Sequence, residues 1–82
     1  MNKDKIQSAI NLKVICLVKW IMEQMEVTED VAYEKLLPME LYRILTDMET
    51  GLYLEPIEYI YDCYKIETDQ GPEHLLQYVS VL

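Results

Sequence analysis

This chain reads as an all-α protein, a small compact bundle of four or five helices around a central apolar N-terminal helix. Three observations predict it. Helix breakers are scarce, two glycines and three prolines among 82 residues, while Leu, Ile, Met, Glu and Lys are plentiful. Apolar residues recur at three- and four-residue spacings through most of the chain. The run Val14-Ile15-Cys16-Leu17-Val18-Lys19-Trp20-Ile21-Met22 holds a single polar residue, Lys19. A helix made from that run is apolar nearly all round and has to be covered on more than one side. The length predicts one domain over residues 1–82, burying about 60–65% of its unfolded surface.

The first helix is predicted from Asp4 to Glu26. Ile10, Val14, Leu17, Val18, Ile21 and Met25 share one face of it, because they follow i, i+4, i+7, i+8, i+11 and i+15. Leu12, Cys16 and Trp20 form a second row on another side, with Lys13 and Gln24 between the rows. Two apolar rows call for two packing partners.

Thr28 is suited to cap a second helix, its hydroxyl accepting from a free backbone N–H. Glu29 and Asp30 follow it, placing negative charge at the positive end of the helix dipole. Ala32, Tyr33, Leu36 and Leu37 supply the buried face. Pro38 is expected to turn Leu37 away from α geometry and stop the helix. A third helix starts at Pro38 or Met39 and buries Leu41, Ile44, Leu45 and Met48, with Gly51 as its left-handed cap.

Residues 52–55 are short enough to be extended. Pro56 then opens a fourth helix with Ile57, Ile60, Tyr61 and Tyr64 on its apolar face and Glu58, Asp62 and Lys65 on the other. That is the clearest amphipathic pattern in the chain. Residues 68–72, Thr-Asp-Gln-Gly-Pro, read as a turn. A last helix from Glu73 to Val81 presents Leu75, Leu76, Tyr78, Val79 and Leu82.

Charge narrows the function classes. The net charge is −8, unevenly placed. Residues 1–20 carry four lysines against Asp4, a balance of +3, and residues 21–82 carry Lys35, Arg43 and Lys65 against fourteen acids, a balance of −11. An acidic body repels phosphate backbones, so no nucleic-acid partner is expected. The second and third helices resemble a helix-turn-helix in outline, but Arg43 stands alone there among Glu40, Asp47 and Glu49. No membrane partner is expected either. The apolar run lacks a signal-peptide cleavage site and is too interrupted to span a bilayer. A cytoplasmic location follows, with Cys16 and Cys63 as reduced thiols.

No catalytic, cofactor-binding or metal-binding constellation is legible. Cys16, Cys63 and His74 are isolated, without Cys-x-x-Cys or His-x-x-x-His spacing. Cys63 and His74 are the nearest approach to a nucleophile with a base. Glu55, Glu58 and Asp62 cluster at the start of the fourth helix, where capping and solvation explain them. No cofactor is expected; a small enzyme is the last of three readings, with only Cys63, His74 and these acids behind it, and the chain is expected not to be one. The end Ser80-Val81-Leu82 reads as the ordinary close of an apolar helix.

The aromatic composition points toward recognition. There is no Phe, yet there are seven Tyr and one Trp. Such rings carry a polar handle and suit half-buried positions and interfaces. The expected interaction surface is the second row of the first helix, Leu12, Cys16 and Trp20, together with Tyr59, Tyr61 and Tyr64 of the fourth. The candidate partners are a second copy of the chain, forming a homo-oligomer, or a basic protein. The leading expectation is a small helical protein–protein interaction module that self-associates.

The stretch from Lys13 to Leu37 also resembles a family of short uncharacterised bacterial helical proteins. Residues 14–23, then Val27-Thr28-Glu29-Asp30-Val31-Ala32-Tyr33, then Leu36-Leu37 carry the likeness. The resemblance implies an apolar helix, a Thr-capped acidic turn and an Ala/Tyr/Leu helix. Some members are encoded beside ADP-ribosyltransferase-like toxins, which implies an antitoxin-like role, an acidic inhibitor of a basic partner. Where the family has an aromatic-His-Thr segment, this chain has Glu49-Thr50-Gly51-Leu52-Tyr53-Leu54-Glu55-Pro56.

Overall fold

In the computed structural model, which describes residues 3–80, the long first helix α1 (Lys3–Met25) is the axis of the molecule. It is followed by α2 (Glu29–Leu36), α3 (Glu40–Thr46), a single 3₁₀ turn (Leu52–Leu54), α4 (Ile57–Gln70) and α5 (Pro72–Val79). These are all helical elements, and the described residues contain no strand. The all-α bundle is therefore as expected. α1 packs against α2, α3, α4 and the 3₁₀ turn, whereas α5 packs on α4 and α3.

The first row of α1 is the core. Ile10, Val14, Leu17, Val18 and Ile21 are buried, against Ala32, Leu36, Leu41, Ile44, Leu45, Leu52, Ile60, Cys63 and Leu75. Each fully enclosed Leu or Ile contributes about 1.5–3 kcal/mol. Met25 departs from the expectation and is largely exposed. It lies in the last turn, where Glu26 takes the left-handed conformation (φ 53°). Val27 N–H then reaches back to Met22 O at 3.2 Å. That pattern closes a helix in the way usually given to glycine.

Thr28 caps α2 as anticipated, its Oγ1 accepting from Val31 N–H at 3.4 Å. Pro38 does not expel Leu37 from α geometry. Leu37 keeps helical dihedrals and donates to Tyr33 O, and it faces solvent rather than the core. The helix still stops there, because Pro38 has no N–H to extend the ladder.

Two corrections concern α3. It ends at Thr46, so Met48 falls beyond it, half-buried. The reason is local: Thr50 Oγ1 donates to Ile44 O at 2.7 Å, and Asp47 Oδ1 accepts from Glu49 N–H at 3.0 Å. Side chains thus take up groups that another helical turn would have used. Gly51 is left-handed (φ 74°) but opens the 3₁₀ turn instead of capping α3. Residues 52–54 are that turn and not an extended segment, with Leu52 and Tyr53 buried.

α4 runs on through Thr68, Asp69 and Gln70 where a turn was expected, and the reversal is confined to Gly71 (φ 97°) before Pro72. Pro56 immediately precedes α4 and does not form its first residue. Cys63 joins Ile60 and Tyr64 on the buried face, while Ile57 and Tyr61 are half-buried. In α5 only Leu75 is buried; Leu76 and Tyr78 are 40% and 39% exposed. The expected contributions of Val81 and Leu82 lie outside the described residues.

Candidate interaction surface

α3 begins without a capping side chain of its own. Glu67, on α4, supplies the cap from across the bundle. Its Oε2 accepts from Glu40 N–H at 2.9 Å and its Oε1 from Leu41 N–H at 2.8 Å. One carboxylate thus satisfies two orphan donors and docks α4 against the start of α3. Nothing local in the sequence signals this bond, since its partners are 26 and 27 residues apart.

The second row of α1 divides. Trp20 stacks on Tyr61 with ring centroids 4.7 Å apart and planes 7° apart. It meets Tyr64 edge-on at 5.5 Å and 83°, and Lys65 Nζ lies 5.8 Å from its ring centroid. These are the offset-stacked, edge-to-face and cation–π geometries that aromatic quadrupoles favour. Tyr64 also donates its hydroxyl to Met25 Sδ at 3.4 Å. α4 therefore closes over the Trp20 end of the row. Burial, and then the neighbouring Cys16 thiol, push the Tyr61 phenol above its ordinary range. Cys16 is half-buried beside it.

Tyr59 turns toward α5 and stacks on Tyr78 at 5.2 Å. Its hydroxyl is buried without a hydrogen-bond partner among the described residues, and burial pushes its pKa up to about 12. Of the six residues expected to meet a partner, Cys16, Trp20, Tyr59, Tyr61 and Tyr64 are thus wholly or partly occupied within the fold. Leu12 stands apart, 60% exposed. Lys13 Nζ donates to Glu55 O, tying α1 to the end of the 3₁₀ turn.

Beside Leu12 lies a residue absent from the expected surface. Ile15, one turn further along α1, is 46% exposed. Its signal was in the sequence, since Leu12 and Ile15 are spaced i, i+3. Ile15 also forms part of the wall of an open groove of about 550 Å³ between α1, α2 and α3. Gln7, Asn11, Tyr33 and Tyr42 share that lining, and none of the described residues that line it is charged.

The remaining candidates do not assemble into a reactive site. Cys63 is enclosed in the core, and burial, reinforced by the Asp62 charge, pushes its thiol up to about 12. A thiol held neutral is a poor nucleophile. His74 is exposed on α5. Among the described residues no three His, Cys, Asp or Glu side chains gather to hold a metal ion. Arg43 pairs with Glu40 at 2.7 Å. The hydrogen bond from Arg43 lowers the Glu40 pKa, and the same bond raises that of Arg43. No helix among the described residues is long and apolar enough to cross a membrane.

No family model matches the chain, and searches of curated proteins and of solved structures return no match.

Proposed function

We propose that the chain is a small helical protein–protein interaction module without catalytic activity, acting in the cytoplasm, and that the outer face of α1 receives the partner. One observation carries the reading. Leu12 and Ile15 lie side by side in the middle of a 23-residue helix, 60% and 46% exposed. Contiguous exposed apolar groups rimmed by polar residues favour a binding role, whereas isolated ones are ordinary on any surface. A photoreactive amino acid placed at Ile15 tests it in the native cell. Adducts from position 15, and none from the exposed Asp62 on α4, are expected. Adducts from position 62 alone would overturn the choice of face.

A second reading is supported by charge. Glu29, Asp30 and Glu34 on α2 and Glu58, Asp62 and Asp69 on α4 are all exposed. They suit an acidic, antitoxin-like inhibitor of a basic protein, the role that the resemblance over residues 13–37 implies. A partner captured through position 62 whose affinity fell steeply with added salt would favour it.

A further inference from the structure

A second cleft opens where all five described helices meet, and it shares no residue with the Leu12–Ile15 face. Its volume is about 290 Å³, at the bottom of the range for small-molecule sites. Met25 at the end of α1, Met39 just before α3 and Pro72 at the start of α5 give it apolar walls. Its polar groups come from Lys35 of α2 and from Tyr64, Glu67 and Thr68 of α4. Tyr64 is only 6% exposed, yet its hydroxyl donates to nothing better than the Met25 thioether, a weak acceptor. Lys35 has no ion pair among the described residues, and so it does not pair with Glu67 across the cleft. Both Glu67 oxygens are held in place by the α3 N–H groups.

We propose that this cleft binds a free α-amino acid with an aliphatic side chain of the size of leucine. A strong acceptor entering the cleft draws the Tyr64 hydroxyl away from the thioether, and a carboxylate is such an acceptor. Lys35 at the rim supplies its counter-charge. A lone carboxylate is nevertheless the wrong ligand, because it faces Glu67 within a protein of net charge −8. An ammonium on the same molecule removes that conflict. A carboxylate has about four lone-pair sites; α3 takes up two at Glu67, which can still accept from the ammonium. Thr68 Oγ1 directs its proton to Tyr64 O and Lys65 O and keeps lone pairs for the same ammonium. Opposite charges that line one cleft without meeting thus match a zwitterion. A residue inside a peptide carries neither charge.

The walls select the side chain. Thioethers are unbranched and polarisable, and they pack against aliphatic groups of varied shape. Carboxylate, ammonium and side chain each have a separate contact, so the cleft distinguishes the L form from the D form. A site this small and open supports weak binding, with a dissociation constant of about 0.3–5 mM.

Methyl NMR spectra of the full chain, isotope-labelled at methionine and titrated with L-leucine to about 30 mM, test the proposal. The Met25 and Met39 resonances, identified through Met25→Leu and Met39→Leu, are expected to shift along one saturable curve while Met48 stays still. Tyr64→Phe, which removes only the hydroxyl, should raise the dissociation constant about tenfold. Lys35→Gln should raise it about threefold. Lys35 is exposed, so the fold does not depend on it, and circular dichroism checks the helix content of both variants. D-leucine, L-leucinamide and N-acetyl-L-leucine should each bind about fivefold more weakly or worse. No saturable shift at Met25 and Met39, or a curve indifferent to both Tyr64→Phe and Lys35→Gln, would overturn the proposal. N-acetyl-L-leucine or 4-methylpentanoate binding as tightly as L-leucine would overturn the amino acid as the ligand. Shifts at Met25 and Met39 that follow protein concentration and ignore L-leucine would overturn it in favour of a second copy in the cleft.

Discussion

The two ends of the Leu12–Cys16–Trp20 row have the same helical spacing and opposite fates. At Trp20, α4 supplies Tyr61 and Tyr64 rings and the Lys65 ammonium. At Leu12, two turns away, none of the described elements closes over the side chain, which stays exposed. Apolarity along a helix therefore tells how much cover is wanted, and the path of the remaining chain decides which part is covered. Lys13 marks the border: it reaches the carbonyl of Glu55 just before α4 begins.

Substitutions can break this comparison. The largest contrast lies between the inner and outer faces of α1. Leu17→Ala should cost about 2–5 kcal/mol, since it empties a fully buried position. Leu12→Ala should cost the monomer under about 0.5 kcal/mol; urea unfolding at low micromolar concentration measures both. If Leu12→Ala proved equally costly, Leu12 would be part of the core and the contrast would be lost.

Trp20→Ala should destabilise by about 2–3 kcal/mol, through lost area and lost ring contacts. Near-ultraviolet circular dichroism should weaken with it, and a smaller loss would mean that the stack contributes little.

Alkaline pH probes the covered side as well. Cys63 and Tyr59 are both pushed up to about 12 by burial, so they stay protonated in the fold. The unfolded chain releases these protons from its ordinary values of 9.0 and 10.0 upward. Between there and about 12 the folded state binds more protons, and stability falls as pH rises. Their contribution is fully present below about pH 9. Urea midpoints should thus be level from pH 7 to 8.5 and decline at about pH 10, less steeply in Cys63→Ala. At pH 8 a thiol reagent should modify Cys16 and spare Cys63.

Glu67→Ala should cost about 1–2 kcal/mol by uncapping α3, with amide exchange rising first at Glu40 and Leu41. One further effect is a gain. Glu26→Gly should stabilise by about 0.5–1 kcal/mol, read as a higher melting temperature, because glycine adopts the left-handed conformation at Glu26 without a Cβ clash.

Most of the bundle was legible because it rests on local periodicity. The core row of α1, the Thr28 cap and the amphipathic α4 all follow from residues within four positions of one another. The misjudged boundaries lie where side chains bond to backbone. Thr50 and Asp47 shorten α3, while Gly71 alone makes the reversal that was assigned to residues 68–72. Pattern reading sees hydrophobic period and misses such competition. The expected surface could be written from the sequence as residues, Leu12, Cys16, Trp20, Tyr59, Tyr61 and Tyr64, but not what each of them packs against. A partner can reach Tyr59, Tyr61 and Tyr64 only where their own fold leaves them open; Tyr64 is buried, and Tyr59 and Tyr61 are half-buried against Tyr78 and Trp20.

By itself the sequence determined the helical class, the inner face of α1 and the acidity of residues 21–82, because each depends on composition or on spacings within a few turns. Only the tertiary structure decided that α4 would take Trp20 and that Glu67 would cap α3. It decided likewise that Leu12 and Ile15 would stay in solvent. Those outcomes depend on pairs of residues far apart in sequence. A helix pattern carries no information about which distant segment will arrive, or how far along the helix its cover will extend.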